Sequence, residues 1–336
     1  MSAPIPVRGP RDNREDDPVS ERRPVELRPA GIAGFAYELG LREIPRDEIE
    51  RRYRYPQSGW LNFRHGRLHY VNECEAASPS HTVVLLHGFS ASVHTWDGVS
   101  ALLRQSCRFI RLDLPPFGLT GALPSVEGRA QRVDLEVLRE ALDTVLDALA
   151  LERVTVVGNS LGGLLAWDLA VRRPTVVERL VLVDAAGFPM HLPAAIKLLD
   201  NPVARWLSPR LQPAAAIRAA VRDCYGDASR VTTATYRRYT DLTFAAGTRA
   251  AIVSMVPGLD LSAIDTRPLS ALQVPTLVLW GAKDRWIPPS HGRQFAKAIP
   301  GARLVMFETL GHIPMEEDPA SVAQALLAFL NEPTLP

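Results

Sequence analysis

The sequence predicts an α/β protein in which a mostly parallel, doubly wound sheet has helices on both faces. Short runs rich in Val and Leu, such as "HTVVLL" and "VTVV", alternate with segments whose apolar residues repeat at helical spacing. Continuous apolar strands are typical of parallel sheets, because both faces of such a sheet are buried. A later strand is predicted at residues 179–187 ("RLVLVDAAG"), and a hairpin is predicted at 59–73, around the turn "RHG".

A helical insertion is predicted to interrupt this alternation. Residues 188–268, directly after the strand 179–187, contain no convincing buried strand and have short helical patterns rich in Ala, Leu and Arg. A structureless loop of that length is uncommon in a compact domain. We therefore expect a helical cap or lid over the edge where the strands end, and an α/β core made of residues 59–187 and 269–336.

The residues before this core are expected to form two different segments. Residues 1–30 are Pro-rich and charged, which favours a disordered tail. Residues 31–58 carry helix-start signals in "IPRDEIERRY" and are predicted to form a helical extension. The apolar stretch 30–41 is expected to cover the core rather than to touch a membrane.

Composition argues against several classes of protein. Apolar residues make up 46% of the 336 residues, and the net charge of +1 gives no field that would attract nucleic acid. No apolar run reaches the roughly 20 residues that span a bilayer, and we expect no signal peptide. The three cysteines are scattered, which favours a reducing, cytoplasmic location. We expect no nucleic-acid partner and no transmembrane segment, and the sequence leaves a homo-oligomer open.

A serine lies between two glycines where an apolar run becomes a helix. In "VVGNSLGG", Ser160 has Gly158 two residues before it and Gly162 two residues after it. One interpretation is a tight turn without further meaning. A dinucleotide-binding turn, G-x-G-x-x-G, is disfavoured because Ser160 stands where that motif needs Gly to approach a pyrophosphate. The interpretation that we favour is a nucleophile elbow, G-x-S-x-G, which exposes the serine Oγ on a sharp strand-to-helix turn.

A nucleophile elbow requires partners elsewhere in the chain. A serine hydroxyl needs a base, an acid that orients the base, and backbone donors for an oxyanion, in the chain order Ser, acid, His. Asp284 follows the strand "LVLW", and His312 lies in the loop after the next strand. The backbone amides of Phe89, after the strand that ends in "LLHG", and of Leu161 would form the oxyanion hole.

At this point the chain resembles the α/β-hydrolase superfamily. The resemblance covers about residues 60–332 and is carried, in order, by "LLHGFSAS", "RLDLPPFGLTG", "VVGNSLGG", "LVLVDAAG", "PTLVLWGAKDRWIP" and "GHIPMEEDP". It implies an α/β-hydrolase fold with nucleophile Ser160, acid Asp284 and base His312. Asp184 also follows a strand, at a place where some family members carry their acid, but the context "GAKDRWIP" favours Asp284.

Side chains near these residues receive lesser predictions. Ser90, His94 and Trp286 are candidates for the pocket, and Trp286 is the strongest because it stands two residues after the acid. The acidic run 316–318 is expected to serve the N-terminus of the last helix. No His, Cys and Asp cluster has the spacing of a metal site, so we expect no metal.

The serine narrows the reaction. Haloalkane dehalogenases and epoxide hydrolases of this superfamily use Asp as the nucleophile, whereas Ser160 suits acyl transfer and needs no cofactor. We expect a carboxylesterase or small lipase acting on a small-molecule ester. One alternative is a carbon–carbon bond hydrolase of the meta-cleavage product type, which "GNSLGG" and "AKDRWIP" resemble. That group usually has "HGxGPG" where this chain has "HGFSAS", and Trp where this chain has Ile313. The other alternative is a ligand-binding member without catalysis.

Overall fold

The computed structural model describes residues 31–125, 131–190, 201–259, 261–262 and 264–333. The predicted tail 1–30 therefore lies outside the described residues, as do parts of the predicted cap. Eight strands form one sheet: β1 Ser58–Phe63, β2 Gly66–Glu73, β3 His81–Leu86, β4 Cys107–Leu112, β5 Val154–Asn159, β6 Val177–Val183, β7 Thr276–Gly281 and β8 Arg303–Phe307.

The order of the strands is β1-β2-β4-β3-β5-β6-β7-β8. Strand β2 runs antiparallel to both β1 and β4, which gives the predicted hairpin, and the remaining neighbours are all parallel. The predicted class, a mostly parallel sheet flanked by helices, is confirmed. All parallel strands end at one edge of the sheet, so the loops after β3, β5, β6, β7 and β8 meet there.

The helices of the described residues surround this sheet. In chain order they are α1 Ile32–Glu38, α2 Arg46–Tyr53, α3 Asp97–Leu103, α4 Leu135–Ala148, α5 Leu161–Arg172, α6 Pro202–Leu207, α7 Ala214–Cys224, α8 Thr233–Phe244, α9 Thr248–Met255, α10 Pro289–Ala298, α11 Pro314–Glu317 and α12 Pro319–Leu330. Helices α6 to α9 lie in the chain between β6 and β7, which are direct neighbours in the sheet. The helical insertion is therefore present where it was predicted.

The alternation of side chains along β3 explains why helices cover both faces. Val84 and Leu86 pack in one apolar cluster with residues of α4 and α5. Val83 and Leu85 point to the opposite face and pack with residues of α3 and α12. All four side chains are completely buried. A strand with no solvent-facing side reads as a continuous apolar run, which is why these strands are visible in the sequence.

Strand β6 differs from its prediction at both ends. It begins at Val177 and ends at Val183, whereas residues 179–187 were predicted. The strand ends at Val183 because the next residue, Asp184, has a φ of 44°, which falls in the left-handed region and turns the chain out of the strand. The apolar residues that follow it are buried in the loop, so the sequence pattern does not reveal where the strand stops.

The N-terminal extension is fastened to the helical insertion by a buried carboxylate. Asp241 of α8 accepts hydrogen bonds from the hydroxyl groups of Tyr37 at 2.6 Å and Tyr53 at 2.9 Å, and from the guanidinium of Arg52 at 2.9 Å. Burial, together with the nearby Asp241, raises the pKa of both tyrosines above the usual range. The extension thus packs on the insertion.

Helix α1 covers the core only in part. Its residues Ile32 and Phe35 are 90% and 66% exposed, and no residue of the helix is fully buried. Tyr37 packs against Phe244, with ring centroids 5.3 Å apart, and against the apolar cluster below it, and Glu38 pairs with Arg218 of α7. The expectation for the stretch 30–41 therefore holds for Tyr37 but not for Ile32 and Phe35, which face outward. None of the helices that the structure describes combines the length and the hydropathy needed to cross a bilayer.

Asp241→Ala is expected to destabilise the protein by about 2–4 kcal/mol, because it leaves two part-buried hydroxyls without their acceptor and takes from Arg52 one of its two carboxylate partners. The measurement is thermal or urea unfolding. Asp47→Ala is the control, since Asp47 forms an exposed pair with Arg51 in the same extension and such pairs contribute little. Equal stability of the two variants would contradict this role of Asp241.

Candidate active site

The turn between β5 and α5 holds Ser160 in an uncommon backbone conformation. Its φ is 54° and its ψ is −116°, and it stands at the N-cap of α5. A side chain on Gly158 would overlap the carbonyl group of Gly162, and one on Gly162 would overlap the carbonyl oxygen of Leu86. The backbones approach too closely for any Cβ, so the G-x-S-x-G pattern is a steric requirement of this turn.

The predicted acid and base are hydrogen-bonded to each other. The Nδ1 of His312 lies 2.8 Å from Oδ2 of Asp284, and both side chains are buried. The other carboxylate oxygen of Asp284 accepts the backbone N–H groups of Trp286 at 2.7 Å and Ile287 at 3.0 Å. With Nδ1 donating to Asp284, Nε2 of His312 is the nitrogen that can accept a proton.

An amide side chain beside the serine holds the loop of the base. The Nδ2 group of Asn159 donates to the carbonyl oxygen of His312 at 3.0 Å and to that of Val183 at 3.1 Å. The backbone N–H of His312 donates to the carbonyl oxygen of Cys224 at 2.7 Å. The base is therefore tied both to the elbow and to the end of α7. The sequence prediction missed Asn159 because its partners are distant in the chain.

The acidic run 316–318 has three different roles. Asp318 accepts the N–H of Ser321 and caps α12, as expected. Glu317 instead accepts three backbone N–H groups, from Gly226, Asp227 and Gly311, at 2.7–2.8 Å. The expectation that the whole run serves the last helix is wrong for Glu317, because its carboxylate joins the loop before His312 to the turn after α7.

Glu316 connects the same loop to α8. Its carboxylate accepts hydrogen bonds from the guanidinium of Arg238 at 2.7 Å, from the hydroxyl of Tyr239 at 2.8 Å and from that of Tyr225 at 3.2 Å. Burial and the charge of Glu316 raise the pKa of both tyrosines above the usual range. This second carboxylate also differs from its predicted role at the last helix.

The two predicted oxyanion donors lie beside Ser160. Phe89 and Leu161 line one cavity together with Ser160 and His312. Neither amide donates to another backbone group in the described part of the chain. A Cβ on Gly88 would lie 3.0 Å from the Cβ of Ser160, so the loop after β3 approaches the serine closely. Both predicted donors thus line the cavity beside Ser160 with amides that no backbone group of the described residues accepts, and their role at an oxyanion stays a prediction.

The cavity is apolar apart from the serine and the histidine. It encloses about 560 Å³ of space, part of it open to solvent. The described residues that line it are Phe89, Ser160, Leu161, Ala186, Met190, Val256, Leu259, Leu261, Trp286, Ile287 and His312. The indole of Trp286 is nearly parallel to the imidazole of His312, with ring centroids 6.0 Å apart and an angle of 15° between the planes.

The other two pocket candidates are placed elsewhere. Neither Ser90 nor His94 is among the described residues that line the cavity. His94 is buried, with Nε2 2.9 Å from the carbonyl oxygen of Tyr53 and Nδ1 3.1 Å from Oγ of Ser92. Burial lowers the pKa of His94 to about 4, so it is a neutral packing residue at pH 7.

Asp184 lies next to the His–Asp pair. One carboxylate oxygen each of Asp184 and Asp284 and a ring nitrogen of His312 lie within 4.8 Å of one another. This spacing could hold a cation, but the 2.8 Å distance between His312 and Asp284 is that of a direct hydrogen bond. The sequence prediction considered Asp184 as an alternative acid. In the structure Asp184 lies at the same site, but Asp284 is the residue that is hydrogen-bonded to Nδ1 of His312.

These elements define a class of protein. A serine on a glycine-flanked turn, a paired histidine and aspartate, and two available amides at the carboxyl edge of a parallel sheet are the features of a hydrolase built on this fold. The alpha/beta hydrolase fold family matches residues 81–319. The chain belongs to this family.

The chain is similar to proteins of more than one kind. The chain is 30% identical over 291 residues to an uncharacterized protein of Mycobacterium tuberculosis, with 81% of each chain covered. It is 28% identical to a 2-hydroxy-6-oxononadienedioate/2-hydroxy-6-oxononatrienedioate hydrolase of Pseudomonas putida, over 79% of this chain and 92% of the relative. A solved bacterial membrane phospholipase A is 25% identical, with a TM-score of 0.68 over 82% of this chain and 85% of that chain.

Gly162→Ala is expected to reduce the yield or the melting temperature of the folded protein strongly, because the added methyl group meets the carbonyl oxygen of Leu86. Thermal unfolding of the purified variant is the measurement. Gly301→Ala is the control: open space surrounds it, and its φ of 71° adds only a conformational cost of about 1–2 kcal/mol. If the two variants were equally stable, the turn would tolerate a Cβ and the steric argument would fail.

Proposed function

We propose that the protein is a serine hydrolase that cleaves carboxylic esters through an acyl-enzyme on Ser160. The observation that carries the proposal is the cavity itself. Ser160 and His312 are the polar side chains among its described lining residues, and the rest of the lining is apolar. A reactive hydroxyl and a base facing an apolar cavity suit a substrate with one polar bond and an apolar body.

The proposed reaction has two halves. His312 takes the proton of Ser160 at Nε2 while Oγ attacks the ester carbonyl carbon, and the amides of Phe89 and Leu161 donate to the resulting oxyanion. The carbon–oxygen bond to the alcohol then breaks, and His312 gives its proton to the leaving alcohol. A water molecule, deprotonated by His312, releases the acid and restores Ser160. Asp284 orients the imidazole and stabilises its charged form throughout.

The lining also bears on the second candidate, carbon–carbon bond hydrolysis of a meta-cleavage product. This candidate is favoured by the likeness to the Pseudomonas putida hydrolase, which is named for a dioate. A dioate carries carboxylates, and burying a carboxylate without a partner is costly. The described lining residues include no arginine or lysine. An uncharged acyl group therefore fits better, and the likeness to a phospholipase A supports ester cleavage.

Ser160→Ala is expected to reduce the hydrolysis of p-nitrophenyl esters by about a thousandfold or more, since the nucleophile is lost. Turnover is measured from acetyl to palmitoyl esters, and an active-serine probe should label only proteins that retain Ser160. Ser100→Ala is the control, because Ser100 is a buried serine that donates to the carbonyl of Asp97 away from the cavity.

Three results would distinguish the candidates. Equal activity of wild type and Ser160→Ala would exclude Ser160 as the nucleophile. A wild type that ignores esters but cleaves a ring-fission dienoate would favour the carbon–carbon hydrolase. A wild type that turns over neither and resists the serine probe would favour a ligand-binding member.

Val256→Phe is expected to shorten the preferred acyl chain, because Val256 is buried at the cavity wall beside Leu259. We expect kcat/KM for an octanoyl ester to fall about tenfold relative to an acetyl ester, the scale on which a pocket senses a few methylene groups. Val203→Phe, at a position that is 69% exposed on α6, is the control. An equal loss for both esters would show that this wall does not hold the acyl chain.

A further inference from the structure

We propose that Asp184 is a positioning residue that carries a proton at neutral pH and donates a hydrogen bond to the carboxylate of Asp284. Asp184, as the carboxylic acid, and Asp284, as the carboxylate, then form a pair that carries a single negative charge. The structural part of this proposal stands on its own, and its meaning for catalysis rests on the function proposed above.

The surroundings of Asp184 leave one of its oxygens without a partner. The side chain is completely buried, directly after β6. Its Oδ1 accepts the backbone N–H of Gly281 at 2.9 Å, whereas Oδ2 has no hydrogen-bond partner among the described residues. A buried carboxylate oxygen without a donor is costly. A proton on Oδ2 turns this oxygen into a donor, and an acceptor, Asp284, lies at hand.

The proton belongs on Asp184 rather than on Asp284. Asp284 accepts two backbone N–H groups and the Nδ1–H of His312. Within the described part of the chain, Asp184 accepts one hydrogen bond, from the N–H of Gly281. More donors stabilise the charged form. Two adjacent buried carboxyl groups do not both ionise readily, so the one with fewer donors keeps the proton.

The titratable groups around Asp184 favour the same assignment. Burial, and next the charge of Asp284, raise the pKa of Asp184 well above its usual range, and Glu317 adds to this effect. The N–H of Gly281 opposes it.

His312 is a further titratable group of the cluster, and its Nδ1 is already bonded to Asp284. Cys224 and His291 also lie close enough to Asp284 for its charge to act on their pKa values. Burial and this charge raise the pKa of Cys224, whereas burial lowers the pKa of His291 and the charge of Asp284 opposes that change.

The backbone of Asp184 follows β6 directly and is hydrogen-bonded to the neighbouring strand β7. Its φ of 44° is uncommon for a residue with a side chain, and its N–H donates to the carbonyl oxygen of Leu279 in β7 at 3.0 Å. The carboxyl group is thereby held at the carboxyl ends of β6 and β7. A protonated Asp184 at this place fixes Asp284 behind the imidazole without adding a second negative charge.

The first test is infrared difference spectroscopy of the intact protein at pH 7, with Asp184→Asn as the reference. We expect the wild type to have a carboxylic acid carbonyl band, sensitive to deuterium exchange, that is absent from Asp184→Asn. If the two spectra agree in this region, Asp184 is ionised and the proposal fails. The measurement needs no substrate, so its outcome is independent of whether the protein cleaves esters.

The second test is the pH profile of kcat/KM for a p-nitrophenyl ester, whose acid limb reports the base of the free enzyme. Asp184→Asn can still accept from Gly281 and donate to Asp284, so we expect its acid limb to stay within about 0.3 pH unit of the wild type. Asp184→Ala removes the donor and leaves the full charge on Asp284. We expect its limb to move to higher pH by about one unit.

Acid limbs that move to lower pH in both variants would overturn the proposal. If Asp184 were ionised, both variants would remove a negative charge near His312, and both acid limbs would move to lower pH. If Asp184 only supported the fold, Asp184→Ala would melt at a lower temperature with an unchanged limb. Should Asp184→Ala fail to fold, the direction of the shift in Asp184→Asn and the infrared band still decide.

Discussion

The candidate site depends on how closely backbones approach at the turn between β5 and α5. Gly158 and Gly162 leave no room for a Cβ against each other and against the end of β3. This contact brings the first turn of α5 against the sheet, and Ser160 adopts a positive φ of 54° at the connection. The same geometry leaves the amide of Leu161 without a backbone partner, close to the loop that carries Phe89.

A second constraint links the base to parts of the chain outside the sheet. Asp241 joins the N-terminal extension to α8, and α8 in turn meets Glu316, next to Glu317, whose carboxylate binds the N–H of Gly311 just before His312. Mostly part-buried polar contacts, linked through α8 and through the neighbouring residues Glu316 and Glu317, therefore connect the extension to the His312 loop. The insertion between β6 and β7 both forms a wall of the cavity and supports the His312 loop.

Local sequence patterns were enough to predict the fold and the candidate residues of the site. Roles that depend on contacts between distant parts of the chain could not be predicted from them. The strands and the Ser160 turn are set by neighbours within a few residues, so periodicity and the glycine spacing reveal them. Asn159 and Glu317 act through partners from other elements, and the bond from Asn159 to His312 spans 153 positions. Charge runs look alike in sequence whether they cap a helix or hold a loop, which is why the role of Glu317 was misassigned.

The distribution of charge around the site favours an uncharged substrate. The carboxyl groups of Asp184 and Asp284 lie at the imidazole, and no carboxylate is among the described residues that line the cavity. In the proposed reaction, an acyl group in the cavity would meet apolar side chains, while the charge that develops on the imidazole would meet Asp284. If Asp184 is protonated as proposed, only one negative charge acts on the imidazole, and the repulsion felt by a neighbouring oxyanion is smaller than two ionised carboxylates would impose.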